Sequence, residues 1–416
     1  MSKKRDLFED LGLSDGVDSG AVPLAMGAPG PKILATCSPL MITATQHCLG
    51  NKEEERYTFQ YGPLKGDPGY REELAKFLSQ EYGDHVDSHN LMVTAGATQG
   101  LHLVATVMFD RTTPVFVEDP TYFIAIKILR DDFKMNIIPV PTDSEGIDVE
   151  EFEKLIQKHK PKDLDLTQYK CPFWSFVYLT PTFNNPRGCS LSAAHSEKLI
   201  QVARQHDILL FADDVYNLLN YTDKNRPPSR LLSYDKSTDP DYAGGNVLSN
   251  GTFSKIFAPG IRLGWIEAPE KILRHLEKCS TTWSGGAFNH YMSKLMATAL
   301  REGLLMKHLI FLRQEYGERM NLMDKALREN LPPGVKFENP KGGFFLWLEL
   351  PDGCDSEKVL RHAVEKYKVN FVNGNSTSPT GSFHNFARLS ISYCDKEDLV
   401  TGVERFCAAV KDFLPM

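Results

Sequence analysis

"SNGTFSKIFAPGIRLGW", Ser249 to Trp265, follows a short apolar run (Val247, Leu248) and sets one lysine, Lys255, among hydroxyl residues and an arginine. Thr252 stands three positions before it and Ser254 one before, while Arg262 follows seven positions later behind a Pro-Gly turn. An apolar strand that ends in such a cluster places ligand groups at its carboxyl edge, as open sheets with helical crossovers do. The rest of the chain repeats the theme. "PVFVED" and "DILLFADD" are apolar runs ending in acids, the second continuous enough for a strand buried on both faces. Between such runs lie helical spacings: Leu74, Phe77, Leu78 and Tyr82 share one face, "TQGLHLVATVMF" follows the strand "LMVT", and Ser192 can cap a helix carrying Leu199, Ile200 and Ala203. The fold class expected is α/β, a large domain with a mostly parallel sheet wrapped by helices. After about Pro269 long helical patterns precede "GGFFLWLELP" and "FARLSISY", which predicts a smaller α+β domain. "DKNRPPSR" and "DKSTDPDYAGG" read as surface loops.

Composition narrows the function classes. A chain of 416 residues with 42% hydrophobic content can bury a large core. A formal net charge of −7 leaves no basic face for a phosphate backbone, so nucleic acid is not an expected partner. The eight cysteines are scattered with no CxxC pair, which suits free thiols in a reducing compartment. "MSKKRDLFEDLGLSDG" lacks an apolar core of signal-peptide length, and no stretch reaches the roughly 18 apolar residues of a membrane span. The expectation is a cytoplasmic protein acting on small molecules.

The strand ends, collected, form one set: "TAGATQG" (94–100), "VEDPTY" (117–122), "TPTFNNPRG" (180–188), "FADDVY" (211–216) and the opening stretch. Together they supply what pyridoxal 5'-phosphate needs. The amine of Lys255 can exchange an aldehyde with a substrate amine and then move a proton as a general base. Alone it would read as a solvated loop lysine. Thr252 and Arg262 suit a phosphate dianion, which a guanidinium grips with two parallel hydrogen bonds; Ser254 is a further donor or a turn hydroxyl. In "GATQG" the backbone amides of Ala97 and Thr98 open a helix and face an anion, unless Thr98 is a plain cap. Asp213 can keep a pyridine nitrogen protonated, and Tyr216 and Asn185 can donate to the ring oxygen. A helix cap or a metal pair is the other reading of the two aspartates. Tyr122 covers one ring face or is a core tyrosine.

"SNGTFSKIFAPGIRLGW", "NNPRG", "DDVY", "GGFFLWLELP" and "RLSIS", in this order, resemble the class I and II aminotransferases of the fold type I pyridoxal-phosphate enzymes, nearest to the branch holding kynurenine and 2-aminoadipate aminotransferases. The resemblance runs from about Pro23 to the end. It implies catalytic roles for Lys255, Asp213 and Tyr216, with Arg388 as ligand of the substrate α-carboxylate, a planar fork against a carboxylate; an exposed strand arginine is the plainer reading. It also implies a homodimer with shared sites, in which Tyr61 of "FQYGPLKGDPGYREEL" reaches the neighbour's phosphate and Gly27 of "MGAPGP" lies on a segment that closes over substrate. The domain division implied is an N-terminal segment 1–56 joining the small domain, a large domain 57–270 and a small domain 271–416. Two departures stand out. The segment "VNGNSTSPTGSFHNF" (372–386) replaces the family's usual Pro-Gly and aromatic before the carboxylate arginine, and Ala97 and Thr98 stand where serine and glutamine are common.

The expected reaction is ping-pong transamination between an amino acid and a 2-oxo acid. Other reactions of the same scaffold, β-elimination, decarboxylation or an oxidase-type step, share its substrate carbanion. A non-enzymatic regulator would carry a DNA-binding module, for which the roughly twenty-two residues before Pro23 are too few. No metal is expected. Phe288, Phe344 and Phe345 point to tolerance of an apolar or aromatic substrate side chain.

Overall fold

A computed structural model of the protein describes residues 20–53, 55–221 and 227–414. Its large sheet grows from the apolar runs. The strands are β1 (Leu91–Thr94), β2 (Pro114–Asp119), β3 (Asn136–Asp143), β4 (Gly146–Ile147), β5 (Ser175–Leu179), β6 (Ile208–Ala212), β7 (Val247–Thr252) and β8 (Gly264–Glu267). Their spatial order is β1-β8-β7-β6-β5-β2-β3-β4. β2, β3, β5, β6 and β7 pair in parallel, whereas β8 and the short β4 run antiparallel to their neighbours. The sheet is therefore mostly parallel, as expected.

Every residue of β6 is buried. Because successive side chains of a strand point to opposite faces, Leu209 and Phe211 join one core with Val115, Val117, Phe176 and Ile266. Ile208, Leu210 and Ala212 join the other with Phe116, Val177 and Val247. The helix Ala97–Val107 covers the first face and the helices Val149–His159 and Ala193–Gln205 the second. Ser192 caps the latter, its Oγ accepting the His195 N–H at 3.2 Å.

A second, antiparallel sheet orders Lys336–Phe337, Phe345–Glu349, Phe386–Ser390 and Val372–Asn373. The long helical pattern before it is two helices, His290–Arg301 and Leu304–Asn330, parted by Gly303 at φ 67°. The N-terminal residues Val22 and Pro23 pair with Val369 and Asn370, and the Leu24 carbonyl accepts the Ser390 N–H at 2.8 Å. Among the described residues, no helix is long and apolar enough to cross a membrane. The leader reading of the first sixteen residues falls outside the described residues.

In their described residues the two expected loops are loops, and each is anchored by one buried charged residue. Arg230, at the end of "DKNRPPSR", is buried and pairs with Glu267 at 2.6 Å and Asp84 at 3.0 Å; residues 223–226 of that stretch lie outside the description. Asp235, opening "DKSTDPDYAGG", is buried too: it accepts from Arg204 and from the Asn246 and Val247 amides. Local polarity marks these loops, yet single charged groups in them are drawn inward: Asp235 by the open amides at the start of β7, Arg230 by the Glu267 carboxylate at the end of β8.

Candidate active site

The carboxyl ends of β2, β5, β6 and β7 open into one cavity of about 970 Å³. Lys255 emerges three residues beyond β7, partly buried, and its Nζ donates to the Gly27 carbonyl at 2.8 Å. Burial disfavours the ammonium, and Arg388 repels it. Asp213 opposes these effects and Arg262 adds to them, bringing the amine from 10.5 to about 8. The solvated-lysine alternative is thereby excluded.

Asp213 follows β6 directly. Its Oδ2 accepts the Tyr178 hydroxyl at 2.6 Å and its Oδ1 the Asn250 amide at 2.8 Å. Burial pushes this carboxyl upward; the two hydrogen bonds and the Lys255 charge pull it back. It has no ion-pair partner among the described residues, so a cationic N–H brought against it gains what burial has withheld. Asp214 turns away and accepts the Ser249 hydroxyl at 2.6 Å. Among the described residues no group of three or more His, Cys, Asp or Glu side chains is placed to hold a metal ion.

At the other end of the cavity the helix Ala97–Val107 begins. Its cap is Gly96, at φ 85°, and no side chain caps it, so Thr98 is not the plain cap. The left-handed backbone and the close approach both suit glycine: a Cβ there would lie 3.3 Å from the Arg262 guanidinium. Ala97 and Thr98 head the helix, where amides lack intrahelical partners. Thr252 and Ser254, linked Oγ1 to Oγ at 3.0 Å, line the same cavity. Amides at a positive helix end, two hydroxyls and a guanidinium are donors only toward an anion, and they fit a phosphate.

Arg388 comes from the second sheet, opposite Trp347 and Val372. It is 2% exposed, which corrects the exposed-arginine alternative. Its Nη1 donates to Asn185 Oδ1 at 2.9 Å and its Nη2 to the Ala25 carbonyl at 2.5 Å, while Nε is buried without a partner. The Phe345 ring lies 4.1 Å from the guanidinium carbon. Burial brings Arg388 down to about 10. No carboxylate pairs with it among the described residues, and a buried guanidinium held only by neutral oxygens awaits an anion. Tyr216 lines the cavity with Asn185, and burial holds its hydroxyl well above its ordinary range. Tyr122 lines the cavity.

The cavity thus gathers Gly27, Ala97, Thr98, Tyr122, Asn185, Asp213, Tyr216, Thr252, Ser254, Lys255, Arg262 and Arg388. Tyr61 is not among them: it is 78% exposed, lying against Gly285. Phe288 does not line the cavity either; Phe345 does, and Phe344 is buried behind Lys255. Sequence reasoning missed Tyr178 and Asn250, which hold Asp213, and the apolar wall of Leu34, Phe123, Ile124 and Ile128. Their apolar or mid-strand settings carry no local sign of a site.

Comparison with known proteins bears on the family and the fold. The family model described as aminotransferase class I and II matches residues 32–406. The chain is 30% identical over 412 residues to aromatic-amino-acid aminotransferase 1 of Thermococcus litoralis, covering 99% of this chain and 92% of that protein. A kynurenine aminotransferase of Pyrococcus horikoshii, solved with PMP, superposes with a TM-score of 0.83 at 29% identity, covering 100% and 96% of the two chains. LysN, the alpha-aminoadipate aminotransferase of Thermus thermophilus, solved with N-(5'-phosphopyridoxyl)-L-leucine, superposes at 0.78 with 28% identity, covering 95% and 93%.

Proposed function

The chain belongs to the class I and II aminotransferases, and from that membership we propose its residue roles, donor class and assembly. The activity is pyridoxal-phosphate-dependent transfer of an amino group from an amino acid to a 2-oxo acid. When bound, pyridoxal phosphate supplies an aldehyde that takes up the amino group and a ring that draws electrons from the substrate α-carbon. The Ala97 and Thr98 amides, Thr252, Ser254 and Arg262 would hold its phosphate, with Tyr61 of the partner subunit. Tyr122 would cover the ring, Asp213 would keep the ring nitrogen protonated, and Asn185 and Tyr216 would face the phenolic oxygen.

Lys255 is the base. An amine near 8 keeps a neutral fraction at working pH, so it can take the α-proton and return it elsewhere. Arg388 grips the α-carboxylate, and the Gly27 segment closes over the substrate. One carboxylate ligand serves donor and acceptor in turn, which suits a ping-pong sequence.

The observation that carries this reading is the buried, counterion-free guanidinium of Arg388 facing the same cavity as Lys255 and Asp213. It also bears on the donor. Beyond Lys255, Arg262 and Arg388 no cation lines the cavity among the described residues, and the wall is apolar. We therefore assign donors with large apolar or aromatic side chains. Mixing the loaded enzyme with single amino acids and following cofactor absorption isolates the first half-reaction. Phenylalanine or leucine should exceed aspartate by about 100-fold or more in second-order rate, because an unpaired buried carboxylate costs several kcal/mol; parity or reversal would refute the donor class.

The domain division carries over as well: 1–56, 57–270 and 271–416. Residues 22–23 pairing with 369–370 support it, as does the confinement of the large sheet to 91–267. A homodimer with shared sites is supported by the exposed aromatics Tyr57, Phe59, Tyr61, Trp283 and Tyr291, with Phe59 stacked on Tyr291 at 5.5 Å. The cytoplasm fits the eight free thiols.

A further inference from the structure

Glu118 ends the buried part of β2, is 2% exposed and does not line the cavity. Its neighbour strand β5 stays in register with β2 through Tyr178 and then departs into the 180–189 turn. There the Glu118 side chain takes over from the ladder: Oε2 accepts the Thr180 N–H and the Asn184 side-chain amide, both at 2.9 Å. Between those two points lies Phe183 at φ 50°, a left-handed conformation that a bulky residue keeps only when its surroundings impose it.

Asn184 has every polar group committed. Its N–H donates to the Cys189 carbonyl, its carbonyl accepts from Gly188, its Oδ1 accepts from the Arg187 N–H, and its amide is shared by Glu118 and the Thr180 carbonyl. It cannot rotate without losing several hydrogen bonds together, and the next residue is Asn185, whose Oδ1 accepts from Arg388. We propose that Glu118 is a positioning residue whose carboxylate braces the 180–189 turn and so holds Asn185 in place to aim Arg388 at the substrate carboxylate. This rests on the reading of Arg388 as the carboxylate ligand.

The probe is 3-phenylpropionate, a carboxylate without an amine, titrated calorimetrically into cofactor-loaded enzyme. Glu118→Ala should weaken its binding about tenfold or more and raise the amino-acid KM, while cofactor absorption shows the cofactor still bound. Glu118→Gln keeps an acceptor oxygen and should bind within about threefold of wild type. Asn184→Ala should repeat the Glu118→Ala loss, so the proposal stays open to refutation if Glu118→Ala does not fold. Wild-type affinity in folded Glu118→Ala or Asn184→Ala overturns it, as does equal loss in Glu118→Gln and Glu118→Ala. Arg388→Ala separates the readings: unchanged affinity there removes the carboxylate role and the proposal together, whereas loss there beside wild-type affinity in Glu118→Ala removes only the proposal.

Discussion

Labelling of the cofactor-free protein with fluorodinitrobenzene, with the Lys255 peptide quantified by mass spectrometry, reads the amine directly. The drop from 10.5 to about 8 corresponds to about 3 kcal/mol of extra cost for the ammonium, at roughly 1.4 kcal/mol per pKa unit. At about pH 7.5 roughly a quarter of Lys255 amines are then neutral, against about one in a thousand for a lysine left at 10.5. Lys255 should therefore outpace exposed lysines, and its rate should reach half its plateau near pH 8. Two substitutions give the sign of each contribution. Arg388→Ala removes a repelling charge and should move the midpoint up; Asp213→Asn removes the favourable charge and should move it down. The same difference has a stability consequence. The folded pKa lies below the unfolded one, so the unfolded chain binds the extra proton between about 8 and 10.5, and this group's contribution to stability rises with pH across that window. A Lys255 labelling midpoint above about 10 would show that neither burial nor Arg388 acts on the amine, and the reasoning would fall.

Two further outcomes follow from the site. Asp213→Asn should slow α-proton loss by at least about 100-fold while substrate affinity changes little, since the carboxylate acts on charge that develops in the transition state; unchanged single-turnover proton exchange would remove that role. Lys255→Ala and Tyr61→Ala homodimers should each be impaired, yet mixed dimers should recover one intact site, whereas mixing Lys255→Ala with Arg388→Ala should recover none. Proven subunit exchange without a gain for the first pair would refute the shared site.

Much of the architecture was legible in the chain because it depends on short-range pattern. "ILLF" is wholly apolar because both faces of β6 are covered, and the alternation of such runs with helical spacings leaves a doubly covered, mostly parallel sheet as the economical arrangement. Lys255, Thr252 and Arg262 lie within one turn-bearing stretch, Asp213 and Tyr216 within another, and donors or acids next to strand ends declare themselves by position alone.

Tertiary structure decided what those groups touch. Tyr178 meets Asp213 across 35 residues because β5 and β6 are neighbours, and Lys255 meets Gly27 across 228 because the N-terminal segment folds over the cavity. Arg388 reaches Asn185 across 203 residues, and only the approach of the second sheet turns an ordinary strand arginine into a buried guanidinium without a counterion. The burial of Arg230 and Asp235 within their loops belongs to the same class. Residue type and spacing determine local conformation. Burial, and with it the displaced pKa values of Lys255, Asp213 and Arg388, arises only when segments distant in sequence exclude water from the same volume.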